Sequence, residues 1–148
     1  MGTFTSTLDF AIQREEQAYH FYTTLARKAT TEEMQLTLIN FAEEELRHKA
    51  KLSDMKRQKA KPPNEKIRDL KISDYVTDVE PTPDMTYKDA LIVAIKKETN
   101  AFRLYRDLGA ITVDEDLRNT FIRLAQEEAK HKLHFETEYK NAILKKDQ

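Results

Sequence analysis

The sequence has no cysteine, and only two glycines and four prolines among 148 residues. Without thiols, the chain itself forms no disulfide, zinc–thiolate site or iron–sulfur cluster, and it has no thiol nucleophile. Scarce glycine and proline, set against 34% charged residues, point to long helices with wet outer faces. No apolar run reaches about 18 residues, so no membrane-spanning helix is expected. The N-terminus lacks a basic-then-apolar leader pattern, and a soluble, cytoplasmic protein is the expectation. Charge of one sign is missing too: 25 basic side chains face 26 acidic ones, which gives bulk electrostatics no reason to recruit nucleic acid or another polyanion. Met1-Gly2-x-x-x-Ser6 has the form of a myristoylation signal but reads as a short leader before a helix cap.

What is present is helical periodicity. Thr3 to Ser6 caps a first helix in which Leu8, Ala11, Ile12, Glu15, Ala18, Tyr22, Leu25 and Ala29 recur at helical spacing. Thr30-x-x-Glu33 has the form of a capping box opening a second helix. There Met34, Leu38, Phe41, Glu45, His48, Leu52 and Met55 alternate steps of four and three. A cationic last turn then meets Pro62-Pro63, which stops the helix. A polar crossover of about residues 59–85 follows, with Ile67, Leu70, Ile72, Tyr75 and Val76 available to tack it onto the helices. Thr86-x-x-Asp89 opens a third helix with the stripe Leu91, Ala94, Glu98, Ala101, Tyr105 and Leu108, and Gly109 is the expected stop. A fourth begins near Asp114, carries Leu117, Phe121, Leu124, Glu128, His131 and Phe135, and is expected to fray near Lys145.

Sliding the chain by 83 residues places Glu15 on Glu98, Tyr22 on Tyr105, Glu44 on Glu127, Glu45 on Glu128 and His48 on His131 without a gap. The chain, residues 1–148, therefore reads as one all-α domain built from a duplicated helical hairpin. Glu and His hold their register while neighbours such as Phe41 and Leu124 drift. Glu15 and Glu45 lie equally far from the turn at Thr30, and Glu98 and Glu128 equally far from Val113; at 1.5 Å per residue each pair stands roughly 22 Å from its turn. Packing the hairpins face to face brings four Glu and two His into one layer.

Six buried, unpaired ionisable groups would cost several kcal/mol each, against a net stability of about 5–15 kcal/mol. Two divalent cations would balance four carboxylates and coordinate both imidazoles. Carboxylate-rich ligation with one His per metal suits iron or manganese better than structural zinc. Tyr22 and Tyr105, each seven residues beyond a Glu on its own stripe, are placed to lean toward this layer and donate hydrogen bonds to carboxylates. His20 and His134 lie off the stripes and read as surface residues.

Ala11-Ile12-x-x-Glu15-x-x-Ala18-x-x-Phe21-Tyr22 with Glu45-x-x-His48, then Ala94-Ile95-x-x-Glu98-x-x-Ala101 with Glu128-x-x-His131, resembles the ferritin-like superfamily and, within it, the rubrerythrin family. The resemblance covers all four helices. It implies a four-helix bundle with a non-heme di-iron centre, in which Glu15 and His48 serve one iron, Glu98 and His131 the other, and Glu45 and Glu128 bridge. It implies an oxidoreductase that reduces hydrogen peroxide, or dioxygen, and defends against oxidative stress, with ferroxidase or iron-handling activity as the alternative; the rival of another class, which the resemblance does not imply, is a metal-free helical interaction module. Typical members append a rubredoxin domain; with no Cys here, electrons are expected from a separate protein such as a rubredoxin, and the expected assembly is a homodimer. Such proteins also tend to carry an additional Glu where this chain has Ala101.

Overall fold

The computed structural model describes residues 3–58, 67, 70–77, 79 and 81–147. Four long helices make up the fold: α1 (Phe4–Lys28), α2 (Glu32–Arg57), α3 (Tyr87–Ile111) and α4 (Glu115–Asp147), with a 3-10 turn at Ile72–Tyr75 in the crossover. The all-α, ferritin-like four-helix bundle expected from the duplicated stripe is what forms. α1 packs along α2 and α3 along α4 as antiparallel hairpins, and α1 also meets α3.

Local chemistry sets the helix ends. Thr3 caps α1 in a capping box with Ser6, Thr86 accepts from the Asp89 amide at the start of α3, and Asp114 Oδ1 accepts from the Leu117 amide at the start of α4. Three expectations shift. The cap of α2 is Thr31, whose hydroxyl accepts from Met34, because the turn after Lys28 runs one residue longer than a Thr30 box requires. Gly109 does not stop α3, which continues to Ile111; it is buried, and a Cβ there would stand 3.5 Å from Ile122 of α4. α4 holds helical geometry past Lys145 to Asp147. The Met1-Gly2 leader, the Lys59 and Lys61 cations and the Pro62-Pro63 stop lie outside the described residues; α2 ends at Arg57. Of the tacking residues, Ile67 and Tyr75 are buried and Leu70 packs against the core, while Val76 is exposed.

The core divides into two apolar clusters. One gathers Phe4, Leu8, Leu52, Leu108 and Phe121 with the crossover's Ile67 and Tyr75. The other gathers Leu25, Met34, Leu38, Leu91 and Phe135. Between them, on all four helices, lie six of the most buried polar residues of the chain: Glu15, Glu45, His48, Glu98, Glu128 and His131, each at most 3% exposed. Among the described residues no helix is long and apolar enough to cross a membrane.

Candidate metal centre

Small neighbours make room for the carboxylates. Ala11 and Ala18 flank Glu15, Ala94 and Ala101 flank Glu98, and Ala42 and Ala125 lie one turn before Glu45 and Glu128, all buried. Glu45 and His48, and likewise Glu128 and His131, project from one face of their helices because three residues is close to one turn.

The six side chains converge. His48 Nδ1 lies 3.2 Å from Glu128 Oε1, 3.5 Å from Glu15 Oε2 and 3.6 Å from Glu45 Oε1. His131 Nδ1 repeats the pattern at 3.2 Å from Glu45 Oε1 and 3.7 Å from both Glu98 Oε2 and Glu128 Oε1. Two overlapping groups result, Glu15–Glu45–His48–Glu128 and Glu45–Glu98–Glu128–His131, each offering ligand atoms within 4.8 Å of one another. Glu45 and Glu128 belong to both.

On Glu15, Glu98, His48 and His131 the outer atom is tied and the inner atom is not. Tyr22 donates to Glu98 Oε1 and Tyr105 to Glu15 Oε1. His48 Nε2 pairs with Glu127 at 2.6 Å, and His131 Nε2 pairs with Glu44. Left without a hydrogen-bond partner are Glu15 Oε2, both oxygens of Glu45, His48 Nδ1, Glu98 Oε2, Glu128 Oε1 and His131 Nδ1. The short Nδ1–carboxylate separations bring opposite charges close without hydrogen-bond geometry. Buried polar atoms in proteins are nearly always satisfied, so seven orphans facing one another mark a place shaped for cations. The donor set, oxygen-rich with one imidazole per group, fits iron or manganese.

Protonation shows the same need for positive charge. Burial alone would lower the imidazoles, but the surrounding carboxylates override it and push His48 up to about 11 and His131 up to about 10. Burial and the other carboxylates raise Glu45 well above the ordinary range and Glu128 to about 8. Burial raises Glu15 as well, yet the neighbouring His48, Glu45 and Tyr105 together outweigh it and lower the carboxyl. Protons thus supply what cations otherwise would, and binding a cation displaces them.

Among the described residues, a narrow space and a wider cleft border the layer. Between α1 and α3 a space of about 10 Å³, room for about one water, is lined by Arg14, Gln17, Ala18, Lys97 and Ala101 above the carboxylates. On the α2–α4 side a cleft of about 200 Å³ carries Arg47, Lys51 and Arg123 around Glu44, His48 and Glu127.

All six predicted layer residues, and both tyrosines, meet in one place. His20 and His134 are exposed, as expected. Sequence reasoning does not single out Glu44 and Glu127 as site residues, although they stay in register through the repeat; they hold the histidines from the edge of the layer, 37% and 41% exposed. The tyrosines also cross over: each serves the Glu of the opposite hairpin.

Among proteins of known family, the rubrerythrin model matches residues 6–139. A solved structure of a hypothetical protein from Pyrococcus furiosus superposes with a TM-score of 0.72 at 24% identity, over 93% of this chain and 89% of that one, and shows the same fold. No curated protein matches the chain.

Proposed function

The chain belongs to the rubrerythrin family, and from that premise we propose that its buried layer holds two iron ions and reduces hydrogen peroxide, or less readily dioxygen. The observation that carries this reading is the set of seven unpartnered atoms on six buried residues. When bound, two ferrous ions supply two electrons, one from each metal, as the two-electron reduction of a peroxide requires.

The chain's residues do the rest. Glu15 with His48 would hold one metal and Glu98 with His131 the other, and Glu45 with Glu128, common to both groups, would serve both. Glu127 and Glu44 fix the imidazoles so that Nδ1 faces inward. Tyr22 and Tyr105 hold one oxygen of each terminal carboxylate and leave the other for a metal. The narrow opening between α1 and α3 limits water around the layer. Electrons come from a separate protein, a rubredoxin being the expected kind, because a chain without Cys carries no thiolate-ligated iron of its own. The assembly is a homodimer in the cytoplasm.

A second reading, oxidation of iron for handling or storage, is favoured by Ala101, which lies beside the carboxylates and offers no additional ligand atom. Storage needs a closed multisubunit shell, so a sedimentation size near a dimer selects the first reading. The decisive test is anaerobic iron titration with elemental analysis. About two irons per chain are expected, lost when Glu45→Ala and Glu128→Ala are combined. Equal metal content in both proteins would sink the assignment, and reduced iron-loaded protein that leaves peroxide unconsumed, where equal free ferrous iron consumes it, would sink the activity.

A further inference from the structure

The halves of the bundle differ at a place the metal layer does not explain. Beside the second half, the crossover turn inserts Tyr75, whose side chain is buried. Its phenol donates to Asp107 Oδ2 at 2.7 Å, the Arg103 guanidinium stands over its ring at 5.5 Å from the centroid, and Arg14 donates to its carbonyl oxygen. Leu104 and Leu108 belong to the same apolar cluster. The 83-residue repeat matches Arg14 to Lys97, Arg103 to His20, Leu104 to Phe21, Asp107 to Thr24 and Leu108 to Leu25. All five of these counterparts line one cavity of about 450 Å³. Where one half holds a tyrosine ring, the other holds a cavity of the size that takes small molecules.

We propose that this cavity binds a monocyclic phenol, seated as Tyr75 is seated in the other half. Phe21 and Leu25 provide the apolar wall an aromatic face requires. By the repeat, His20 takes the position of Arg103, which covers the Tyr75 ring, and Thr24, with its hydroxyl, the position of Asp107, which accepts the phenol proton. The crossover closes another side with Pro81, Pro83 and Met85. Lys28 fixes that wall by donating to the carbonyl oxygens of Pro83 at 3.1 Å and Met85 at 2.7 Å. Gln17 and Lys97 border both this cavity and the narrow opening over the carboxylates. An occupant therefore lies alongside the approach to the layer. The site goes beyond the di-iron reading and does not depend on it.

The test is calorimetric titration of the full-length chain, with its metal and after chelation, using p-cresol, the side chain of tyrosine, as probe. 4-Methylcyclohexanol is the control of matching outline without an aromatic face. Thr24 is exposed, so Thr24→Trp places an indole in the cavity without disturbing the core, with helical circular dichroism as the check. Saturable binding of one p-cresol per chain is expected, weaker by about tenfold or more both for the alcohol and in Thr24→Trp. No saturable binding to the wild type, equal affinity for the alcohol, or p-cresol binding by folded Thr24→Trp at wild-type strength overturns the proposal. Failure of the iron titration leaves this result standing, and the reverse holds as well.

Discussion

The two hairpins are the same at the layer and different on either side of it. Tyr22 serves Glu98 as Tyr105 serves Glu15, and Glu44 holds His131 as Glu127 holds His48. Away from the layer the copies part. Leu38 corresponds to Phe121 and Leu52 to Phe135, so each end of the bundle carries one large ring from α4 against a leucine of α2. Phe41 stacks on His131 at 4.1 Å between centroids, where the other copy has Leu124. Apolar packing accepts different side chains provided the volume is filled. A layer of ligand atoms within 4.8 Å of one another has no such freedom, since a displaced carboxylate is both a lost ligand and a buried unpaired charge.

The comparison breaks most visibly at the residues shared between the two groups. Glu45 stands in both and Glu15 in one. Anaerobic iron titration of Glu45→Ala is expected to find little metal in either place, whereas Glu15→Ala retains about one iron per chain, since private ligands serve one site and shared ligands serve both. Equal loss from the two variants would show that the layer loads as a single unit and would remove the distinction between bridging and terminal positions.

The histidine holders sharpen the comparison at a smaller magnitude. Glu127→Gln and Glu44→Gln keep the shape and replace a carboxylate acceptor with an amide, so each is expected to weaken one metal by about 10–100-fold while the other half is unchanged. The effect should be seen as biphasic chelator release, with the weakened phase belonging to His48 in one variant and to His131 in the other. A uniform shift of both phases in each variant would mean that Glu44 and Glu127 act only through overall charge.

How much of this was legible in the sequence follows from what a stripe can carry. Alternating steps of four and three name the inward positions, and Glu and His on those positions, in register over 83 residues, name the layer. Equal distances from the turns even give its height. Periodicity along one helix does not say which helix faces it, so the crossed pairing of Tyr22 with Glu98 and Tyr105 with Glu15 waited for the packing. Glu44 and Glu127 sit next to a stripe position and are partly exposed, which is how a solvated residue looks; their unbroken register was the available signal. Tyr75 is one of the five residues available to tack the crossover onto the helices, but a segment without a period does not say that it is buried while Val76 is exposed. Gly109 has the look of a stop because glycine often ends helices, but α3 runs past it to Ile111.

That glycine sets the smallest and cleanest test of what the halves share. Its counterpart in the first hairpin is Ala26, also buried within a helix. A Cβ at Gly109 would meet Ile122 Cγ1 at 3.5 Å and Phe121 Cβ at 3.7 Å, ordinary van der Waals separations that require no neighbour to move. Glycine in a helix interior costs about 0.5–1 kcal/mol relative to alanine through backbone entropy. Gly109→Ala is therefore expected to raise the unfolding free energy by about that amount, and Ala26→Gly to lower it by at least as much because it also leaves space in the core. Urea unfolding of the two variants, compared with the protein carrying both changes, measures each step and their additivity. Destabilisation by Gly109→Ala would mean that α3 and α4 are drawn closer than α1 and α2 and that the glycine is kept for that approach. The two hairpins would then differ in backbone spacing as well as in side chains.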